Sequence, residues 1–138
     1  PEPTVLRNNN ASFTAIRLPS GAVCVVYNDV AFNDDPERTV WPDQRCPVVL
    51  AISEDGGKTW PWRRIIEHGE GFIGPWNDVN NRRYEYPCLI QGKDGRIHVA
   101  YAWGYRKRIK YLCIDEAWIR GEKLCKGVGG DETLTCKR

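Results

Sequence analysis

One octet constrains the fold of this chain more than any other segment, because residues 53–60 follow the pattern S-x-D-x-G-x-T-W. Its Asp-Gly-Gly step supplies the positive-φ positions that a tight hairpin turn needs. The side chains of Ser53, Asp55 and Thr59 can hydrogen-bond backbone groups within such a turn. Trp60 resumes an apolar strand and can pack over the turn. The octet therefore predicts a hairpin between two β-strands.

Short apolar runs separated by turn residues recur along the chain, which contains 13 Gly and 9 Pro. Strands are predicted at 13–18, 22–27, 47–53, 63–67, 86–91, 96–101 and 109–115. The first two strands and their turn match the fifth and sixth at an offset of 74 residues, which superposes Gly21 on Gly95. Ile52 and Ile114 are expected to be equivalent in the third strand of each unit. Such self-similarity indicates supersecondary units that bury their faces by stacking.

The octet resembles the Asp box, a hairpin turn repeated in sialidase-like β-propellers, through Ser53, Asp55, Gly57, Thr59 and Trp60. Over residues 11–118 the order of landmarks is similar to the C-terminal half of the BNR-repeat sialidases. In that family an arginine precedes the strand leading into an Asp box, and a tyrosine opens the next blade. The resemblance implies an all-β fold: a partial β-propeller of about two four-stranded antiparallel blades from a six-bladed propeller.

The blades are expected at residues 11–70, which include the Asp box, and at 84–120, followed by a tail at 121–138. A propeller needs roughly 4–8 blades of four strands, so we expect the remaining blades to come from the same precursor or from another chain. The absence of methionine, even at Pro1, favours a piece of a longer or processed polypeptide.

The resemblance also implies a sugar-binding site. Arg45 resembles one member of the arginine triad that binds the sugar carboxylate, and Tyr86 resembles the catalytic tyrosine nucleophile. Arg82 and Arg83 flank Tyr86 and are candidates for contact with an acidic ligand. Trp76, in a long polar loop, is a candidate for stacking on a sugar ring, since such loops often carry binding groups.

These residue types suit an acidic sugar. A planar guanidinium binds a carboxylate in a bidentate manner, and a neutral tyrosine avoids the repulsion that a carboxylate nucleophile would meet. The general-acid aspartate, the glutamate partner and two further arginines are expected in other blades. Glu85 is a poor partner for Tyr86, because adjacent strand residues point to opposite faces. Pro87 departs from the small residue that usually follows the family's tyrosine.

Three functions remain open at this point. The first is the C-terminal part of a sialidase-like exo-glycosidase that hydrolyses a terminal acidic sugar. The second is a non-catalytic propeller segment that acts as a scaffold or interaction subunit of a larger assembly. The third is a propeller with different sugar chemistry, such as a lyase, in which His98 would gain importance; otherwise His98 is expected to be a neutral core histidine.

Composition argues against several other classes. The net charge of +2, from 20 basic and 18 acidic residues, gives no reason to expect nucleic acid or an anionic membrane as partner. The basic cluster at 106–110 is expected to be a solvated rim. No segment approaches the roughly 18 apolar residues of a membrane span. No cofactor is expected, and the absence of a C-x-x-C pair argues against a zinc site.

The six cysteines and one glycosylation sequon bear on the compartment. Cys24 and Cys88 fall in apolar strands and are expected to be buried free thiols. Cys125 and Cys136 flank a glycine-rich segment that they could join. The even number of cysteines and the sequon at Asn10 favour a secretory or extracellular location.

Overall fold

The computed structural model describes residues 2–31, 45–68, 83–104 and 106–121. These residues form two antiparallel sheets and one short helix, which confirms the predicted all-β fold. The elements are β1 (Thr14–Arg17), β2 (Val23–Asn28), β3 (Val48–Ser53), β4 (Trp62–Glu67), β5 (Cys88–Gln91), β6 (Ile97–Trp103), β7 (Arg108–Ile114) and α1 (Glu116–Ile119).

The first sheet is an antiparallel meander in the order β1-β2-β3-β4. Each strand pairs with the next along the chain, as consecutive strands usually do, although residues 29–47 separate β2 from β3. β3 has the sequence VVLAIS, and all six of its residues are buried. Because both faces of β3 are covered, its sequence is an apolar run without the polar alternation of a half-exposed strand.

The second sheet has the order β5-β6-β7 and repeats the register of the first. Ile16 pairs with Cys24, and Ile90 pairs with His98, as the offset of 74 residues requires. In the third strands, Ile52 lies opposite Cys24 and Cys113 lies opposite His98. Cys24 and His98 are equivalent, so the residue equivalent to Ile52 is Cys113.

The predicted equivalence of Ile52 and Ile114 is therefore wrong by one residue. A shift of one residue moves a side chain to the other face of a sheet. The observed register pairs Ile114 with Ile97, and both are fully buried in the core that the two sheets share.

The two sheets pack against each other through one core. This shared core takes alternate residues from both sheets, including Cys24, Val26, Leu50, Ile52, Ile97, Val99, Tyr101, Leu112 and Ile114. β5 runs beside β1 and β2, and Thr14 Oγ1 donates a hydrogen bond of 3.2 Å to the carbonyl of Pro87. A second apolar cluster covers the far face of the first sheet, where Val25, Tyr27, Val49, Ala51 and Trp60 pack with Leu6.

The helix α1 follows β7 and docks on the first sheet. Asp115 caps it, since Oδ1 accepts the backbone N–H of Trp118 at 2.7 Å, a typical N-cap arrangement. Trp118 and Ile119 are buried in the shared core. The guanidinium carbon of Arg64 lies 4.3 Å from the centre of the Trp118 ring, so this contact joins α1 to β4.

Candidate functional site

The turn between β3 and β4 is held by the side chains of the Asp box. Ser53 Oγ donates to Asp55 Oδ1 at 2.8 Å and accepts the N–H of Gly57 at 2.8 Å. The Asp55 carboxylate accepts the Thr59 N–H at 2.9 Å and the Thr59 hydroxyl at 2.6 Å. Trp60 Nε1 donates to the Gly57 carbonyl at 3.0 Å. Every one of these bonds stays within the turn, so the octet organises the hairpin.

The Asp box and the predicted site residues lie at opposite ends of the first sheet. Val23 pairs with Ser53 at the Asp-box end, and Asn28 pairs with Val48 at the other end. We call that other end the loop end; it carries Asn28, Arg45 and residues 83–86.

Arg45 and Arg83 are brought together at the loop end by an isolated parallel β-bridge. The Tyr84 N–H donates to the Arg45 carbonyl at 3.4 Å. Asn28 is fully buried, and its Nδ2 donates to the carbonyls of Arg45 at 2.7 Å and Tyr84 at 3.1 Å. Asn28 therefore fixes the two arginine-bearing segments to the end of β2, a contribution that sequence reasoning missed.

Tyr86 is displayed at the surface beside this bridge. Its side chain is 60% exposed, and its backbone has a φ of 55°. Glu85, the preceding residue, is buried. Neither residue lies in a strand, since β5 begins at Cys88, so the strand alternation expected at this pair does not apply.

Arg106 contacts both Glu85 and Tyr86. Its Nε donates to Glu85 Oε2, and its Nη2 lies 3.0 Å from Glu85 Oε1. The same Nη2 lies 3.4 Å from the Tyr86 hydroxyl, and the guanidinium carbon lies 5.5 Å from the Tyr86 ring centre. Arg106 was expected only to be part of a solvated rim. The structure instead makes it the residue that links the buried carboxylate to the exposed phenol.

A second carboxylate–tyrosine pair lies between the sheets. Glu67, at the end of β4, is buried and accepts a bond of 2.7 Å from Lys110 Nζ and one of 3.2 Å from the Tyr101 hydroxyl. Burial, followed by the charge of Glu67, raises the pKa of Tyr101 well above its usual range. The Tyr84 ring meets Tyr101 edge-on, with 6.1 Å between ring centres. Tyr101 is therefore a core residue.

His98 lies on the face of the second sheet that points away from the first. Its Nδ1 is 2.6 Å from the Tyr111 hydroxyl, and its Nε2 is 3.9 Å from Asp94 Oδ1. His98 lies near the β5–β6 turn, whereas Tyr86 lies beyond the other end of β5. The structure does not bring His98 and Tyr86 into one site.

Several predicted residues lie outside the described part of the chain, namely Trp76, Arg82, Cys125 and Cys136. Over residues 2–31, 45–68, 83–104 and 106–121, no group of three or more His, Cys, Asp or Glu side chains could hold a metal ion. The same ranges contain no helix long and apolar enough to cross a membrane.

Among the described cysteines, Cys24 and Cys88 are free thiols. Cys24 is buried, as predicted. The predicted burial of Cys88 is wrong, because this thiol lies exposed on the face of the second sheet that the described residues leave uncovered. The secretory location stays a prediction.

Comparison with models of protein families shows to which family this chain is related. The model of the BNR repeat-like domain matches residues 1–99. The chain belongs to the BNR repeat-like family. Searches of curated proteins and of solved structures found no match to this BNR repeat-like chain. The matched residues include the whole first sheet and the segment that carries Arg83, Glu85 and Tyr86.

Proposed function

We propose that this BNR repeat-like chain supplies part of the site of a sialidase-type exo-glycosidase acting on a terminal acidic sugar. In this proposal Arg45 binds the sugar carboxylate and Tyr86 is the nucleophile that attacks the anomeric carbon. The observation that carries the proposal is the exposed Tyr86 phenol at the loop end, close to the Arg45–Arg83 bridge and in contact with Arg106.

An anionic sugar requires positive charge, which this proposal draws from Arg45 and Arg83, because Glu85 offsets the charge of Arg106. A guanidinium binds a carboxylate with two parallel hydrogen bonds and remains charged at any working pH. Arg106, whose Nη2 is 3.4 Å from the phenol oxygen, would stabilise the negative charge that this oxygen carries during attack. Arg83 is placed by its bridge to Arg45 and is proposed as a further contact to the ligand.

The proposal requires a base from outside the described residues. Glu85 is ion-paired with Arg106, and Glu67 is engaged by Lys110 and Tyr101. A carboxylate that receives the phenol proton must therefore come from another segment of the native polypeptide, as must the general acid. Trp76 is proposed as a stacking contact to the sugar.

The competing function is a non-catalytic scaffold or interaction segment. It is favoured by the surroundings of the Tyr86 hydroxyl, which among the described residues has an arginine as its hydrogen-bonding neighbour and no carboxylate. A tyrosine nucleophile needs a base to activate it. A surface without that base would still bind anions but would not hydrolyse a glycoside.

A fluorogenic sialoside assay on the native polypeptide carrying this sequence tests the proposal. Tyr86→Phe is expected to abolish turnover while leaving binding of a sialic acid ligand intact. Arg45→Lys is expected to weaken ligand binding about 10- to 100-fold, since bidentate charged hydrogen bonds contribute about 1.5–3 kcal/mol.

Tyr111→Phe is the matched control, because Tyr111 is 57% exposed and lies on β7, away from the loop end. Full activity in Tyr86→Phe would contradict the assigned nucleophile. Binding that depends on Arg45 without any hydrolysis would favour the scaffold.

A further inference from the structure

We infer that Asn10 is a further ligand-binding residue at the loop end, where its side-chain amide forms hydrogen bonds with uncharged hydroxyl groups of the acidic sugar. This inference rests on the proposed function and adds a specificity-determining contact to it. Three observations carry it: the backbone conformation of Asn10, the attachment of its segment to the loop end, and the availability of its amide.

Asn10 shares an unusual backbone conformation with two residues of the proposed site. Among the residues that the structure describes, those other than glycine with positive φ are Asn10 at 65°, Tyr86 at 55° and Arg106 at 64°. Arg106 contacts Tyr86. Such conformations are uncommon outside glycine, and they cluster at active sites and ligand clamps. Asn10 is therefore a candidate for the same site.

The segment that carries Asn10 is attached to the loop end on its N-terminal side. Arg7 donates hydrogen bonds from Nε to Asp29 Oδ1 at 3.2 Å and from Nη2 to the Asp29 carbonyl at 3.1 Å. Asp29 directly follows Asn28, the buried residue that holds the two arginine-bearing segments. These bonds fix the chain just ahead of Asn10.

On its C-terminal side the same segment is attached beside Tyr86. Thr14 Oγ1 donates a hydrogen bond of 3.2 Å to the carbonyl of Pro87, which directly follows Tyr86. The chain from Asn10 to Thr14 spans at most about 14 Å. The two attachments together place Asn10 at the same end of the first sheet as Tyr86.

The side-chain amide of Asn10 is exposed and available, whereas the two preceding asparagines are used by the fold. Asn8 closes the turn, since its Oδ1 accepts the Ala11 N–H at 3.0 Å and its Nδ2 donates to the Ala11 carbonyl at 3.1 Å. Asn9 is buried. Within the described residues the side chain of Asn10 makes no hydrogen bond. Its donor and acceptor groups are both available to a ligand.

A carboxamide suits the uncharged part of an acidic sugar. In the proposed function the guanidinium groups of Arg45 and Arg83 contact the charged part of the ligand, and such groups can only donate hydrogen bonds. A hydroxyl group both donates and accepts, and a neutral amide does the same. Asn10 thus recognises hydroxyl groups of the sugar, whereas the arginines recognise its charge.

Two substitutions of Asn10 in the native polypeptide test the inference. Asn10→Gly removes the amide, and glycine adopts positive φ without strain. Asn10→Asp keeps the shape of the side chain and tolerates the same backbone conformation, but its negative charge repels an anionic ligand. Lys93→Gly, at an exposed site in the β5–β6 turn, is the matched control. Calorimetry measures the Kd of sialic acid, and the fluorogenic sialoside gives kcat and KM.

Asn10→Gly is expected to weaken sialic acid binding about 3- to 10-fold, since a net neutral hydrogen bond contributes on that order. KM is expected to rise by a similar factor with kcat unchanged, as for a contact made equally in the ground state and the transition state. Asn10→Asp is expected to weaken binding more than Asn10→Gly. Lys93→Gly should leave Kd and KM unchanged, and all variants should keep the melting temperature of the parent.

Unchanged binding in Asn10→Gly, by a parent protein that binds and hydrolyses the sialoside, would overturn the inference and leave the proposed function standing. A parent that neither binds nor hydrolyses it would contradict both. A lowered melting temperature in Asn10→Gly would show a structural role and overturn the inference. So would a glycan found on Asn10 by intact mass, because the sequon at this residue permits one and the amide nitrogen would then be occupied.

Discussion

At the scale of single residues, the Asp55 carboxylate accepts several of the hydrogen bonds that organise the Asp-box turn. Its oxygens accept bonds from the hydroxyls of Ser53 and Thr59 and from the Thr59 N–H. Bonds from the Thr59 hydroxyl, the Thr59 N–H and the Ser53 hydroxyl, in that order, lower the pKa of Asp55 below its usual range. All of these bonds favour the charged form.

The sign of the pH dependence follows from this depressed pKa. Asp55 contributes stability above its unfolded-state pKa of 3.8, and the contribution is lost as the pH falls through the folded-state value. Asp55→Asn is expected to lower the melting temperature at pH 7 and to flatten the loss of stability below about pH 4. Thermal unfolding across a pH series checks this, with Glu2→Gln as the exposed control. Parallel pH profiles for parent and variant would contradict it.

The residues of the Asp box were predictable because their bonds join residues no more than four positions apart. The contacts of Arg106 were not, because they span 20 and 21 positions. Tyr86 and Arg106 also have positive φ, which is uncommon for residues other than glycine and could not be predicted from these residue types. Asn28 was missed for a similar reason, since its side-chain amide donates hydrogen bonds to carbonyls 17 and 56 positions away.

At the scale of elements, Glu67 joins β4 of the first sheet to β6 and β7 of the second. Its carboxylate bonds Tyr101 on β6 and Lys110 on β7. Glu67→Gln is expected to lower the free energy of unfolding by about 1.5–3 kcal/mol, the usual contribution of hydrogen bonds to charged groups.

Urea denaturation of Glu67→Gln and Tyr101→Phe separates the two bonds of Glu67. Tyr101→Phe removes one hydroxyl and leaves the ion pair between Glu67 and Lys110. It is therefore expected to lower the free energy of unfolding by less, about 1 kcal/mol. A loss in Glu67→Gln no larger than that of the exposed control Glu2→Gln would show that the buried ion pair does not hold the sheets together.

The positions of the strands could be predicted from apolar runs bounded by glycine turns. The register of β7 and the helix α1 could not, because both depend on contacts with the first sheet. The register of β7 places Ile114 in the shared core. The helix α1 buries Trp118 and Ile119 against the same core, and Arg64 of β4 stacks on Trp118. Long-range contacts of this kind override local sequence preference.

At the scale of the whole molecule, the repeat allowed the stacking of two sheets to be predicted, because neither can bury its apolar face alone. The predicted division into units at 11–70 and 84–120 stays a prediction. The shared core nevertheless predicts how the described sheets unfold. Leu50 in the first sheet and Ile97 in the second are both fully buried in that core.

Leu50→Ala and Ile97→Ala are each expected to lower the free energy of unfolding of the native polypeptide by about 2–5 kcal/mol. Because the core is common to both sheets, each substitution is expected to increase amide exchange in both β2–β3 and β6–β7 by a similar factor. Val5→Ala, at a site that is 67% exposed, is the control and should change stability by less than about 0.5 kcal/mol. Faster exchange confined to the substituted sheet would mean that the two sheets open separately, and that the packing between them adds little to the stability of either.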